Sequence, residues 1–138
     1  MLIGEYSHSL DAKGRVSFPA KFREELGEHF VITKGPDNCL CCYDLETWEK
    51  KVRQYEALPL KARHAQRIFF GGASEAETDS SGRILLTPKQ REYAGLSKDV
   101  TIIGVSTHVE IWDTARYEEL CASVSQEDLL NTLEELGF

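Results

Sequence analysis

Long apolar runs are missing from this chain of 138 residues. A helix that crosses a bilayer needs about 20 consecutive apolar residues, and no stretch comes near that length. The N-terminus, MLIGEYSHSLDAKGR, also lacks the basic start and apolar core of a secretory signal. Both absences lead to the expectation of a cytoplasmic protein without a membrane partner. Enzyme signatures are missing too: there is no Gly-rich phosphate loop, no HExxH and no GxSxG. The four histidines, His8, His29, His64 and His108, are scattered, with none at metal-ligand spacing. Asp11 and Asp79 could in principle pair as acid and base, but each lies in a turn whose other members explain it. The expectation is a protein with no catalytic residue, no metal, no cofactor and no small-molecule substrate.

Cysteine is sparse and oddly placed. Three of the four crowd into CLCC as Cys39, Cys41 and Cys42, and the fourth is Cys121. This spacing fits neither a disulfide framework nor a CxxC knuckle. Buried, reduced thiols acting as small hydrophobes are expected instead.

What is present is an uneven distribution of charge. The total is -7, yet residues 1–70 hold 11 basic against 10 acidic side chains and residues 71–138 hold 5 against 13. The halves therefore carry +1 and -8. Between Tyr6 and Arg23 stand four basic residues, Lys13, Arg15, Lys21 and Arg23, with His8 and a single acid, Asp11. A polyanion would be met there. Apolar residues make up 41% of the chain, enough for a packed interior.

The halves are nevertheless related. DAKGR, Asp11 to Arg15, returns as DSSGR, Asp79 to Arg83. At that shift Lys21 meets Lys89, Arg23 meets Arg91, Glu24 meets Glu92 and Gly27 meets Gly95. After a one-residue slip Tyr43 meets Trp112, Asp44 meets Asp113 and Trp48 meets Tyr117. Two copies do not make a solenoid. They suit one closed, pseudo-twofold body.

Each copy reads as strand, DxxGR turn, strand, short helix, strand, turn, strand and longer helix. The turn's glycine supplies positive φ, and its aspartate can bond backbone amides of the same turn. Pro19 and Pro88 open the short helices, which end at Gly27 and Gly95. Asp44 and Asp113 are positioned to cap the longer helices. Their apolar stripes are Leu45, Trp48, Val52 and Tyr55 in one, and Tyr117, Leu120, Cys121 and Val124 in the other. A basic connector, Leu60 to Phe70, joins the copies. The tail, Ser125 to Gly137, reads as a helix with a Leu129, Leu130, Leu133, Leu136 stripe, four acids and no base. It could pack on its own chain or on another. Short strands leave unpaired edges, so interleaving the copies into one small barrel would cover both.

The two turns differ in chemistry. Lys13 of the first is Ser81 in the second, so only the first keeps two cations around its glycine. Arginine can read guanine bidentately, lysine can neutralise a phosphate, and a two-stranded ribbon fits the major groove. Asp11 and Asp79 have a structural use in both copies, bonding their own turn or pairing with an arginine.

End to end, the chain resembles the MraZ family of bacterial regulators encoded at the head of the division and cell-wall gene cluster. The resemblance rests on MLIGEYSHSLDAKGRVSFPAKFRE, CLCCYDLETWEK, RIFFGGASEAETDSSGRILLTPKQREYAGL and EIWDTARYEE, and above all on the duplicated DxxxR element. It implies an α+β, mostly β fold: a swapped-hairpin β-barrel related to AbrB and SpoVT domains, built from two tandem repeats with flanking helices. The boundaries expected are repeat 1 at 5–47, a helical connector at 48–75, repeat 2 at 76–119 and an acidic amphipathic helix at 120–138. The resemblance further implies a nucleoid-associated ring of identical subunits that binds promoter direct repeats of double-stranded DNA, generally as a repressor. DNA contact carries over to Arg15, Lys13 and Gly14, with Lys21 and Arg23 as lesser candidates. Asp11, Asp79, Gly82 and Arg83 are expected to serve structure or a subunit interface. A different reading, an antitoxin-like module gripping a basic protein with its acidic second half, remains open at this point.

Overall fold

A computed structural model describes all residues, Met1–Phe138. The first repeat forms β1 (Leu2–Ser9), β2 (Arg15–Ser17), α1 (Ala20–Leu26), β3 (His29–Lys34), β4 (Leu40–Asp44) and α2 (Leu45–Glu56). A 3-10 turn at Leu60–Ala62 and α3 (Arg63–Gly71) make the connector. The second repeat forms β5 (Ser74–Glu77), β6 (Arg83–Leu85), α4 (Pro88–Ala94), β7 (Asp99–Ser106), β8 (Val109–Asp113) and α5 (Thr114–Ser123), and α6 (Gln126–Glu135) follows.

Local chemistry sets these limits. Asp44 accepts from Thr47 N at 2.7 Å and caps α2, and Asp113 accepts from Arg116 N to cap α5. Thr87 and Gln90 close a reciprocal capping box at the start of α4, with Pro88 in the first turn. Pro19, by contrast, is the residue before α1 and not its first turn. In β2 the outward residues are Arg15 and Ser17 while Val16 is buried; in β6 Arg83 and Leu85 point outward around buried Ile84. Phe18 and Leu86, just beyond these strands, are buried as well. This two-residue alternation puts both arginines on the solvent side.

The repeats exchange strands. β1 of the first pairs antiparallel with β7 of the second, from Leu2 opposite Ser106 to Ser9 opposite Asp99. β5 of the second pairs with β3 of the first, from His29 opposite Glu77 to Ile32 opposite Ser74. β4 and β8 join the halves at the middle, with Cys41 opposite Glu110. The result is a six-stranded sheet in the order β1-β7-β8-β4-β3-β5 and a separate two-stranded ribbon of β2 and β6. The sheet ends at β1 and β5 and does not close on itself, so the expected closed barrel is not what the chain forms. Nor is it mostly β: helices outweigh strands, because six helices flank two sheets of short strands.

One core spans both repeats. Phe22, Phe30, Ile32 and Leu40 of the first lie against Ile84, Leu86, Ile102 and Ile111 of the second, each of them 0–1% exposed. Burying side chains of this size contributes about 1.5–3 kcal/mol each. On the other face of the sheet a smaller cluster holds Cys39, Cys41, Tyr43, Phe69, Ile103 and Trp112, covered by Trp48 and Tyr55 of α2. Gln90 ties the repeats internally: buried, it donates to Ser74 Oγ at 2.9 Å, Gly72 O at 3.2 Å and Ile32 O at 3.3 Å. No helix is long and apolar enough to cross a membrane.

Two expected stripes find no cover. Leu120, Cys121 and Val124 of the α5 face are exposed, and so are Leu129, Leu130 and Leu136 of the α6 face. Through strand exchange each half completes the other's sheet. Residues 1–70 expressed by themselves should show no cooperative thermal transition by circular dichroism, whereas the full chain melts in one step; a cooperative monomeric half would contradict the exchange.

Candidate nucleic-acid interface

The two DxxGR loops are built alike. In the first, Asp11 Oδ1 accepts from Lys13 N at 2.9 Å and Arg15 N at 2.8 Å, while Oδ2 accepts from Arg15 Nε at 2.8 Å. In the second, Asp79 Oδ1 accepts from Ser81 N and Arg83 N, both at 2.9 Å, and Oδ2 accepts from Arg83 Nε at 3.1 Å. Backbone bonds close each turn: Gly14 N donates to Asp11 O and Gly82 N to Asp79 O, both at 3.0 Å. Gly14 and Gly82 take φ of +84° and +77°, a left-handed conformation that costs other residues about 1–2 kcal/mol. Each aspartate thus braces its own turn. Each also fixes its arginine through Nε.

The loops lie side by side. β2 pairs with β6 through Arg15–Leu85, Val16–Ile84 and Ser17–Arg83, and the pairing extends through Phe18 N to Gly82 O at 3.0 Å and Leu86 N to Gly14 O at 2.9 Å. Arg83 Nη1 comes within 3.7 Å of Asp11 Oδ2 of the first loop. Beyond its structural pairing with Asp79, Arg83 is thus a direct neighbour of the basic loop, despite the acidity of the half that supplies it.

Two further arginines cross between the repeats. Arg91 of α4 donates from Nε to Leu86 O at 3.3 Å, and its guanidinium lies over Gly14, where a Cβ would sit 2.9 Å from Cζ. Arg23 of α1 donates to Phe18 O at 3.1 Å and lies over Gly82, where a Cβ would sit 3.2 Å from Nη2. The line Arg91, Arg15, Arg83, Arg23 follows the ribbon, each half-buried. Only Arg15 and Arg83 pair with carboxylates, and neither Arg23 nor Arg91 has an acid within 4 Å. Lys13, Lys21 and Lys89 are exposed alongside. Arg91 is not among the residues the sequence singles out for DNA contact, although the internal repeat sets it in register with Arg23; its place over the first loop depends on which loop each helix faces, which the amino-acid order does not encode.

Electrostatics reinforces the loops. Backbone and side-chain bonds from Arg15 hold the Asp11 carboxyl below its ordinary value of 3.8, against a smaller opposing effect of burial. The Arg83 and Ser81 bonds do the same for Asp79.

Matching to protein-family models gives two consecutive hits, at residues 1–68 and 69–136, to the family described as "MraZ protein, putative antitoxin-like". The chain belongs to the MraZ family. Relatives named "Transcriptional regulator MraZ" match it throughout: that of Acetivibrio thermocellus is 49% identical over 143 aligned residues covering all of both chains, and that of Alkaliphilus oremlandii is 50% identical with the same coverage. The Moorella thermoacetica relative is 51% identical over 92% of this chain and 91% of its own. These MraZ relatives carry the name of regulators of transcription and not of enzymes. The tandem family match coincides with the strand-exchanging duplication described above.

Two outcomes test the loop geometry. Gly14→Ala should lose about 1–2 kcal/mol of stability from the left-handed backbone alone, measured by chemical denaturation, and Gly82→Ala a similar amount. The aspartates are depressed in the folded state, so their contribution is present above pH 3.8 and is lost as pH falls through the lower folded values. The Asp11→Asn/Asp79→Asn double variant should therefore show a flatter stability profile below about pH 4 when melting is followed across acid pH.

Proposed function

We propose that this protein is a sequence-specific, DNA-binding regulator of transcription, acting as a repressor. It works in the cytoplasm on the nucleoid, as a homo-oligomeric ring. Its target is the set of direct repeats in the promoter of the division and cell-wall gene cluster. The observation that carries the reading is the line of four arginines along the β2–β6 ribbon, with Lys13 exposed at its tip.

The chemistry follows from that line. A two-stranded ribbon has the width to enter a major groove. Arg15, already oriented by Asp11 through its Nε, keeps its terminal nitrogens for the O6 and N7 of a guanine. Lys13 meets a phosphate, and Gly14, bare of a side chain, leaves room for the Arg91 guanidinium to stand over the loop beside Arg15. Lys21 and Arg23 flank the loop as further phosphate partners. Arg83 and Arg91 extend the same line from the second repeat, with Asp79 and Gly82 holding the loop that carries Arg83.

One ribbon making roughly two to four phosphate contacts binds weakly and with strong salt dependence. Copies held in register multiply that affinity without new contacts, which is the use of a ring on direct repeats. The uncovered leucines of α5 and α6, Leu120, Leu129, Leu130 and Leu136, are the surfaces offered to a second copy. The acidity of the second half and tail restrains loose adhesion to DNA. The same acidity favours a second reading, an antitoxin-like module that grips a basic protein.

Fluorescence anisotropy with promoter duplex separates the two. Arg15→Ala should weaken binding by about tenfold or more, within the 1–3 kcal/mol that a bidentate base contact supplies, and a Lys13→Ala variant should lower the salt slope by about one. Unchanged affinity in Arg15→Ala would remove the loop from the interface, and a nearly flat salt dependence would favour the protein-partner reading.

A further inference from the structure

A second constellation lies across the β4–β8 junction, on the face of the sheet turned away from the main core. Cys41 stands directly opposite Glu110 in the antiparallel pair. Cys39 and His108, each two residues from one of them, share that face by the alternation of strands. The Sγ atoms of Cys39 and Cys41 and a carboxylate oxygen of Glu110 all lie within 4.8 Å of one another. His108 Nε2 is 3.1 Å from Glu110 Oε2. Both cysteines are 1% exposed, while His108 and Glu110 are half-buried and reach solvent at the β7–β8 turn.

The surroundings orient these groups. Thr107 Oγ1 lies 3.0 Å from His108 Nδ1, which leaves Nε2 toward the cluster. Trp112 Nε1 donates to Glu110 Oε1 at 3.0 Å, which leaves Oε2 toward the cluster. Outer partners of this kind fix the ligands of protein-bound metals. Cys39 belongs to the tight turn Gly35-Pro36-Asp37-Asn38, closed by Gly35 N to Cys39 O at 2.8 Å. A Cβ on Gly35 would overlap Cys41 Sγ and press on Cys39 Sγ at 3.3 Å, so this glycine is what gives the paired thiols their room. Two thiols, an imidazole and a carboxylate make a mixed soft and borderline donor set, the kind that selects Zn2+ over Mg2+ or Ca2+.

We propose that Cys39, Cys41, His108 and Glu110 form a structural Zn2+ site that staples the first repeat to the second. Cys39 and Cys41 bind as thiolates and His108 through a deprotonated Nε2, its remaining proton on Nδ1 donated to Thr107 Oγ1, and the protons displaced from the thiols and the imidazole pass to solvent as the metal binds. The two thiols and the Glu110 carboxylate, already within 4.8 Å of one another, must draw in to reach the 2.0–2.3 Å bonds of tetrahedral zinc, and His108, next to Glu110 in the turn before β8, must swing in as the fourth donor. The role is independent of DNA recognition, because the ribbon lies in a different sheet.

The full-length protein, purified reduced and stripped of metal, is titrated with Co2+ as a spectroscopic probe and then with Zn2+. The expected result is one equivalent of Co2+ giving thiolate charge-transfer and tetrahedral ligand-field bands, displaced by Zn2+, together with a rise in melting temperature on adding Zn2+. Cys41→Ser and His108→Ala should each weaken Zn2+ binding by about tenfold or more, while Cys121→Ser, which alters the exposed thiol outside the cluster, should bind as the parent does. If Cys41→Ser does not fold, His108→Ala carries the test. Bands that are absent in the parent, that persist in His108→Ala at parental affinity, or that vanish in Cys121→Ser would overturn the site and leave the three CLCC thiols as buried hydrophobes.

Discussion

The pairing of β2 with β6 is the contact on which the candidate interface depends. It joins three residues of one repeat to three of the other. It also places two arginine-bearing loops side by side in a molecule whose halves carry opposite balances of charge. Without it Arg83 and Arg91 would belong to an acidic domain of their own. With it they stand in line with Arg15 and Arg23. The surrounding exchange of β1 and β5 holds the ribbon in register, because each repeat completes the other's sheet.

The loops themselves are rigid for a local reason. Each aspartate satisfies two backbone amides and one arginine Nε, so five residues are held by one carboxylate. A side chain fixed through one nitrogen loses less freedom when its other nitrogens bind. On the proposed reading, the repeated motif serves fold and recognition together. Asp11 and Asp79 need not touch a ligand to matter for its binding.

Much of this was legible in the amino-acid order. The shift that sets Asp11 on Asp79 and Arg23 on Arg91 located the repeats. The caps at Asp44, Asp113 and Ser125 marked helices that the structure contains. What was not legible depended on partners distant along the chain. Alternation in β1 and β5 says which side chains turn inward but not which strand lies alongside, and so an open six-stranded sheet was read as a closed barrel. The α5 stripe at Leu120 and Val124 was readable as apolar, yet periodicity does not say whether its cover comes from the same chain. Cys121 was expected to be buried with the other thiols and is exposed, because it lies on that uncovered stripe. The proximity of Cys39, Cys41 and Glu110 was equally out of reach, since nothing in CLCC or THVEIW announces that β4 and β8 are neighbours.

The central claim is that duplex DNA sits on the β2–β6 ribbon. Hydrogen–deuterium exchange followed by mass spectrometry, with and without promoter duplex, tests it most directly. Binding should slow exchange in peptides covering 11–17 and 79–85 together, and leave α6 unchanged at fixed oligomeric state. Protection confined to the acidic second half and tail, with the Lys13–Arg15 loop exchanging as fast as in the free protein, would contradict it.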